Sequence, residues 1–261
     1  LLALWGPCGP PANDLCVDAS ELASVHMQQV DFCTVGASDV SGPTIPNCDG
    51  FQLPLYRDIW YRVTTPDDGL LHVSTCGTNF DTALAVYGSI VGNSCACPGE
   101  EVSLATMLGC NDDSCGIQAE LEIPATAGRC YSIRVGGFNG YQGSGLLTVR
   151  NIKRGDRRDI PHVLPSMTFL QIDGTTANDT WITVDESSCS SNDTKDEWFI
   201  YVMPCDGLVT FHTCHPQTNF DTTLTVFYTG SQTNEIACND DALSCNGSLN
   251  SSVTVAGSSG T

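Results

Sequence analysis

At 261 residues the chain has room for one or two domains, and 30 acidic residues against 10 basic ones leave a formal charge of −20. Such a surface repels duplex DNA and anionic membranes, and no apolar run approaches the ~18 residues of a membrane helix. Fifteen cysteines place the chain in an oxidising compartment, so a secreted or cell-surface location is expected.

In chain order, Leu1, Leu2, Ala3, Leu4 and Trp5 read as an apolar strand. GPCGPP then breaks it, since Pro lacks a donor and fixes φ. Residues 1–9 are therefore expected to form an extension, and an apolar strand at a terminus needs a cover. Residues 16–57 read as irregular with short alternating runs such as HMQQVDF, and local cross-links are expected among Cys16, Cys33 and Cys48. From Asp58 onward, alternation in IWYRV, LLHVSTC and TALAVY predicts half-buried strands. PDDG at residues 66–69 predicts a tight turn and hence a hairpin. QAELEIP, RCYSIRV and GLLTV predict further strands joined by Gly-rich turns, and no amphipathic helix is evident.

This pattern occurs twice. TCGTNFDTALAVY returns as TCHPQTNFDTTLTVF at residues 213–227, and CNDDSC at Cys110 returns as CNDDALSC at Cys238. A repeat sets the domain count. The first copy spans residues 10–149 and the second residues 159–261. Between them, residues 150–158 hold five of the ten bases; a solvated hinge or a clamp onto acidic neighbours is expected, with a polyanion site as the alternative. SSVTVAGSSGT answers AELEIPATAGR, with Val253 on Leu121, Val255 on Ile123 and Gly260 on Gly128. The second copy then stops before any counterpart of Cys130, two strands short. The expected fold is all-β: two tandem antiparallel β-sandwiches, jelly-roll or Ig-like, with seven to nine strands per copy and the second lacking its last strands. With no initiator Met and no signal-peptide pattern, a mature or excised piece of a secreted protein is expected.

Catalysis finds little support. None of the five histidines stands in HExxH or beside GxSxG, and His72 and His212 read as strand residues. The acids recur at turns in both copies, so a glycosidase-type carboxylate pair has no particular support. Asp81, Asn111, Asp112 and Asp113 in the first copy, and Asp221, Asn239, Asp240 and Asp241 in the second, offer oxygens of the kind calcium takes. Satisfying turn backbone donors is the other use of such residues. Disulfide candidates are Cys16, Cys33, Cys48, Cys76, Cys95, Cys97, Cys110, Cys115, Cys130, Cys189, Cys205, Cys214, Cys238 and Cys245. Bridges within Cys110/Cys115 and Cys238/Cys245 are plausible, with Cys115–Cys130 the rival. Ten cysteines fall in the first copy and five in the second, so the odd thiol is assigned to the second copy, either free or bridging to another chain. Asn178, Asn192, Asn246 and Asn250 open glycosylation sequons, all in the second copy. Trp60, Tyr61, Trp198 and Phe199 are expected to pack in the core, with a sugar-stacking platform as the alternative.

PANDLC, D-x-W-Y, TCGTNFDTALAVY, CNDDSCG and RCYSIRVGGFNGYQGSGLLTV together resemble the pre-peptidase C-terminal (PPC-like) repeat. The resemblance implies secreted β-sandwich modules, often in tandem, with accessory, adhesive or structural roles and no catalysis. It covers nearly all of residues 10–150 and 159–261. The second copy departs from it: it lacks the PANDLC opening and carries Cys205 where the first has Asp67.

Two functions follow as expectations. The first is a structural subunit of an extracellular fibril, polymerising head-to-tail as residues 1–5 of one copy fill the incomplete second domain of the next. The alternative is a carbohydrate- or cell-surface-binding accessory module of a larger secreted protein.

Overall fold

The computed structural model describes residues 8–39, 45–48, 51–53, 55–89, 92–95, 97–98, 105–176, 187–189, 195–228, 234–245 and 249–261. The chain divides into two units, Leu1–Arg154 and Gly155–Thr261. Residues 1–5, the expected donor strand, lie outside the described residues.

The first unit contains β1 (Ser20–Glu21), β2 (Met27–Cys33), β3 (Ile45–Cys48), β4 (Phe51–Leu53), β5 (Leu55–Thr64), β6 (Gly69–Ser74), β7 (Thr82–Ser89), β8 (Ala105–Asn111), β9 (Glu120–Ala125), β10 (Cys130–Phe138) and β11 (Ser144–Lys153). One sheet runs in the order β1-β5-β10-β7-β8, the other in the order β2-β11-β6-β9, and β3 and β4 form a separate ribbon. The turn at PDDG forms, but the expected hairpin does not: β5 and β6 belong to different sheets, so the turn is a corner between them. Gly69 makes this corner with φ 150°. A Cβ there would meet the Ile152 carbonyl oxygen, so only Gly fits.

Leu71, Val73, Leu84, Val86, Ile123, Ile133, Val135, Leu147 and Val149 meet between the sheets with Ile59, Tyr61 and Val63. A second apolar layer lies on the outer face of the five-stranded sheet, where Trp60, Ala83, Ala85 and Tyr87 pack under Cys16, Cys48 and Cys97. This corrects the half-buried expectation. Every residue of β7 is buried, because loops tied down by cysteines cover the face that would otherwise be wet. A strand buried on both faces reads as a continuous apolar run, which is what TALAVY is.

The second unit contains β12 (His162–Val163), β13 (Phe199–Ile200), β14 (Gly207–His212), β15 (Leu224–Phe227), β16 (Glu235–Asn239) and β17 (Ser252–Gly257). Its pairings repeat those of the first. His162 sits opposite Phe199 in parallel, as Ser20 sits opposite Tyr61. Thr225 pairs with Cys238 as Ala85 pairs with Cys110, and both ladders shift register one step later, at Val226/Phe227 and Val86/Tyr87. Val209 opposes Val255 and Phe211 opposes Val253, as Leu71 opposes Ile123 and Val73 opposes Leu121. Counterparts of β10 and β11 do not occur among the described residues, so these strands stand as three separate pairs, β12-β13, β14-β17 and β15-β16. The described strands of this unit number six, in line with a copy of seven to nine strands that lacks its last two.

The division between the two units falls within the basic stretch, after Arg154. Residues 150–153 finish β11, where Asn151 and Ile152 are buried and Arg150 pairs across the sheet with Met27 and His72. Beyond the boundary, Arg157 forks onto Asp159 through Nε and Nη2 at 2.9 and 2.7 Å.

Candidate functional site

The repeated TNFDT motif builds the same device in both copies. The Thr75 and Thr82 hydroxyls lie 2.6 Å apart, and the Ala119 N–H donates to both, at 3.2 and 3.1 Å. In the second copy Thr213 and Thr222 lie 2.6 Å apart, and the Ser251 N–H donates to Thr213 Oγ1 at 2.9 Å. These buried hydroxyls fix the start of β7 and β15 against the segment entering β9 and β17. The acid one residue earlier, Asp81 or Asp221, is thereby held at the loop end of its unit.

Two of the candidate cation ligands have another use. Asn111 Oδ1 accepts the Glu120 N–H at 3.1 Å, and Asn239 Oδ1 accepts the Ser252 N–H at 3.0 Å. The repeated Asn thus stitches neighbouring strand ends. Asp240 Oδ1 accepts from the Thr223 hydroxyl at 2.9 Å, while Asp221 and Asp241 are exposed. Asp81 differs: its Oδ1 is buried and has no hydrogen-bond partner. Burial first, and then the charges of Asp113 and Asp112, hold its carboxyl above the ordinary carboxylate range. The Phe138 N–H donates to the Asp81 carbonyl at 3.2 Å and the Thr82 N–H to the Ile117 carbonyl at 3.1 Å. Asp81 is therefore flanked by the loop of Ile117 and the turn leading to Tyr141, a residue 56% exposed. Three carboxylates, an open aromatic ring and the exposed Ile117 share this end of the first copy. Sequence reading reached Asp81, Asp112 and Asp113 through their repetition, but missed Tyr141 and Ile117, which have no repeated counterpart to flag them.

Among the described residues, Cys76, Cys115 and Glu120 bring ligand atoms within 4.8 Å of one another. The two sulfurs are bonded to each other, so they are not the thiolates a metal requires. The other disulfides are Cys8–Cys33, Cys16–Cys97, Cys48–Cys110, Cys95–Cys130, Cys189–Cys238 and Cys214–Cys245. The expected bridges Cys110–Cys115, Cys238–Cys245 and Cys115–Cys130 do not form, and neither do local links among Cys16, Cys33 and Cys48. Cys110 and Cys238 lie on strands whose side chains face the outer layer, whereas Cys115 and Cys245 lie in the loops beyond and meet the cysteine after the repeated Thr. Cys8 is bonded, and Cys205, counted among the bridge candidates, is free and exposed.

A family model matches the chain twice, over residues 12–137 and 159–254, and its description is galactose binding domain-like, T9SS-associated. The chain belongs to that family. The two galactose binding domain-like copies correspond to the two units of the fold, and the family, with the cysteine bridges, fits a secreted or extracellular protein. The family matched is not the PPC-like one, although both describe secreted β-sandwich modules. The match to the first copy runs through most of β10, whereas the match to the second ends at Thr254. No curated protein matches the chain. Among solved structures, Aeromonas hydrophila PliG, a periplasmic lysozyme inhibitor of g-type lysozyme, is similar at 15% identity, covering 51% of this chain and 94% of that one with a TM-score of 0.30. A superposition that loose carries no functional argument.

Of the sequons in the second galactose binding domain-like copy, Asn178, Asn192 and Asn246 lie outside the described residues, and Asn250 is half-buried, its carbonyl accepting the Ala242 N–H. Trp60 is fully buried against Tyr87, at 5.6 Å between ring centroids, which excludes it from a sugar platform. The second copy has a cleft of about 260 Å³ lined by His162, Pro165, Ile172, Asp173, Glu197 and Phe199, among others. No helix among the described residues is long and apolar enough to cross a membrane.

Proposed function

We propose that the protein is a non-catalytic accessory module of a secreted protein and binds carbohydrate at a surface through the loop end of its first copy. The observation that carries this reading is the face around Asp81. An exposed ring stacks on the apolar face of a sugar, while carboxylates at the rim accept its hydroxyls. The family description adds a galactose-like sugar as the first ligand to try. A glycan array followed by calorimetry tests it. Binding should weaken about two- to tenfold in Tyr141→Ala, since stacking contacts of this kind carry about 0.5–1.5 kcal/mol. Failure to retain any glycan, or binding indifferent to both Tyr141→Ala and Asp81→Asn, would refute the reading.

A hard cation at Asp81, Asp112 and Asp113 belongs to the same proposal, as does glycan occupancy of the four sequons. The cation has a consequence for stability. Because the folded state raises the Asp81 pKa, the group favours folding while protonated. That contribution is lost as pH rises through the folded pKa. At neutral pH Asp81 therefore costs stability, which a bound cation offsets. Asp81→Asn should raise the melting temperature of the first unit at pH 7 and have no effect below the ordinary Asp pKa of about 3.9. Calcium should stabilise the wild type but not the variant. A wild-type transition that moves neither with calcium nor with chelator removes the cation from the proposal.

A second reading, head-to-tail assembly into a fibril, is favoured by one observation: the interrupted sheets of the second unit. The family match does not speak for it.

A further inference from the structure

We infer that the loop end of the first copy takes a linear oligosaccharide and not a single sugar, with Tyr56 stacking a second sugar unit beside the one on Tyr141; this rests on the ligand reading above and adds a subsite to it.

Tyr56 reaches this end of the unit from β5. It is 40% exposed, on a strand where Ile59, Trp60, Tyr61 and Val63 are all buried. Two features of the backbone turn it outward. The β5–β10 ladder slips here: Ile59 opposes Val135, but Tyr56 opposes Gly137. Arg57 and Asp58 therefore share the place opposite Gly136. A bulge of this kind re-aims the side chains beside it. Arg57 also takes φ 50°, a left-handed conformation that a residue with a Cβ adopts at a cost. Its side chain holds it there. Nη1 donates to the Ala37 carbonyl at 3.2 Å, and Nε meets Asp39 Oδ1 at 3.0 Å.

Among the described residues one other non-glycine has positive φ: Asn139, at 49°. Asn139 and Gly140, the latter at φ 89°, are the central residues of a tight turn. The Tyr141 N–H closes it on the Phe138 carbonyl at 3.0 Å. A Cβ on Gly137 would collide with the Tyr141 carbonyl, so the Tyr141 backbone lies directly on Gly137. Both left-handed residues thus adjoin an exposed tyrosine: Arg57 follows Tyr56, and Asn139 stands two residues before Tyr141. Strained backbone held in place by its surroundings collects at ligand clamps.

Gly137 also fixes the spacing. It opposes Tyr56 on one side and Thr82, the neighbour of Asp81, on the other. Paired residues share a face of the sheet, so the Tyr56 side chain and the Tyr141 backbone occupy the same face at adjacent strand ends. Neighbouring strands lie roughly 5 Å apart, so Tyr56, Tyr141 over Gly137, and Asp81 form a row of roughly 10 Å across the ends of β5, β10 and β7. That row is longer than one pyranose ring and holds two in succession. One unit lies against Tyr141 with its hydroxyls toward Asp81, and the next lies against Tyr56. In the second copy the position of Tyr56 is Thr194, so the row belongs to the first copy alone.

Calorimetry of the 261-residue chain with galactose, galactobiose and galactotriose tests this. Galactobiose should bind about two- to tenfold more tightly than galactose, the worth of one further stacked ring. Tyr56→Ala should bring the two affinities together, whereas Tyr56→Phe, which keeps the ring, should keep them apart. Tyr141→Ala should weaken galactose itself. Equal affinity of the wild type for galactose and galactobiose overturns the inference and needs no variant to fold. A gain that survives Tyr56→Ala overturns it as well. If Tyr141→Ala still weakens galactose in either case, the ligand reading stands without the second subsite. If none of the three sugars binds, the second subsite falls, and the ligand reading falls with it only when the glycan array is blank too.

Discussion

Asp58→Ala should destabilise the first unit by about 3–5 kcal/mol, whereas Asp196→Ala should cost the second unit roughly 1 kcal/mol or less. The two acids occupy the same position of the repeat, two residues before the repeated Trp, but not the same environment. Asp58 is 1% and Arg134 3% exposed at the side chain. Arg134 donates to Asp58 through Nε at 2.9 Å and Nη2 at 3.1 Å, and its Nη2 also reaches the Leu55 carbonyl at 3.4 Å. Its planar face covers Trp60. Removing the carboxylate leaves a guanidinium with no counter-charge between buried strands. Asp196 is half-buried, and solvent screens the loss. Unfolding followed by hydrogen exchange in each unit separately measures both costs. The double variant Asp58→Asn with Arg134→Met should be less destabilised than either single one, since it buries no unpaired charge. Equal costs for Asp58→Ala and Asp196→Ala would show that the buried pair is not what holds β5 to β10.

Much of this architecture is legible in the sequence because each copy checks the other. Repetition of D-x-W, TNFDT and CNDD, with the alignment of SSVTVAGSSGT on AELEIPATAGR, locates five of the six strands of the second unit, and Gly128 and Gly260, paired in that alignment, both adopt positive φ, 72° and 82°. What the sequence hides is strand order. The last two strands of a copy read as closing strands, yet pairs such as Ile133 with Tyr61 and Leu147 with Val30 put them in the middle of the sheets. Order of this kind is set by contacts distant in sequence, which local alternation does not encode. The disulfides were hidden for the same reason: proximity in sequence suggested small loops, while the bonds span 25 to 81 positions. At the candidate site the carboxylates announced themselves by recurring. Repetition also misled, since Asn111 and Asn239 recur to cap backbone. Tyr141 lies where the copies diverge, and no pattern pointed to it.

Opening Cys16–Cys97 by Cys16→Ala with Cys97→Ala should lower the stability of the first unit more than opening Cys8–Cys33. The first bond closes a loop of 81 positions and the second one of 25. The chain-entropy relation gives about 4.5 and 3.5 kcal/mol respectively. Packing widens the gap. Cys16 and Cys97 are themselves buried in the layer over Trp60 and Tyr87, and the Cys16 carbonyl accepts from Arg62 Nη2 at 2.9 Å. Freeing them unfastens the cover of the outer face, so water reaches a ring that is otherwise fully buried. Cys8 is half-buried, and its bond ties the N-terminal segment to the end of β2 at the sheet margin. Denaturant unfolding of the two double variants ranks the losses, and emission from Trp60 in the Cys16/Cys97 variant should shift to longer wavelength before the main transition. A larger loss from the Cys8–Cys33 pair, or an unshifted Trp60, would mean that strand pairing within the five-stranded sheet, and not the cross-linked layer above it, keeps the outer face closed.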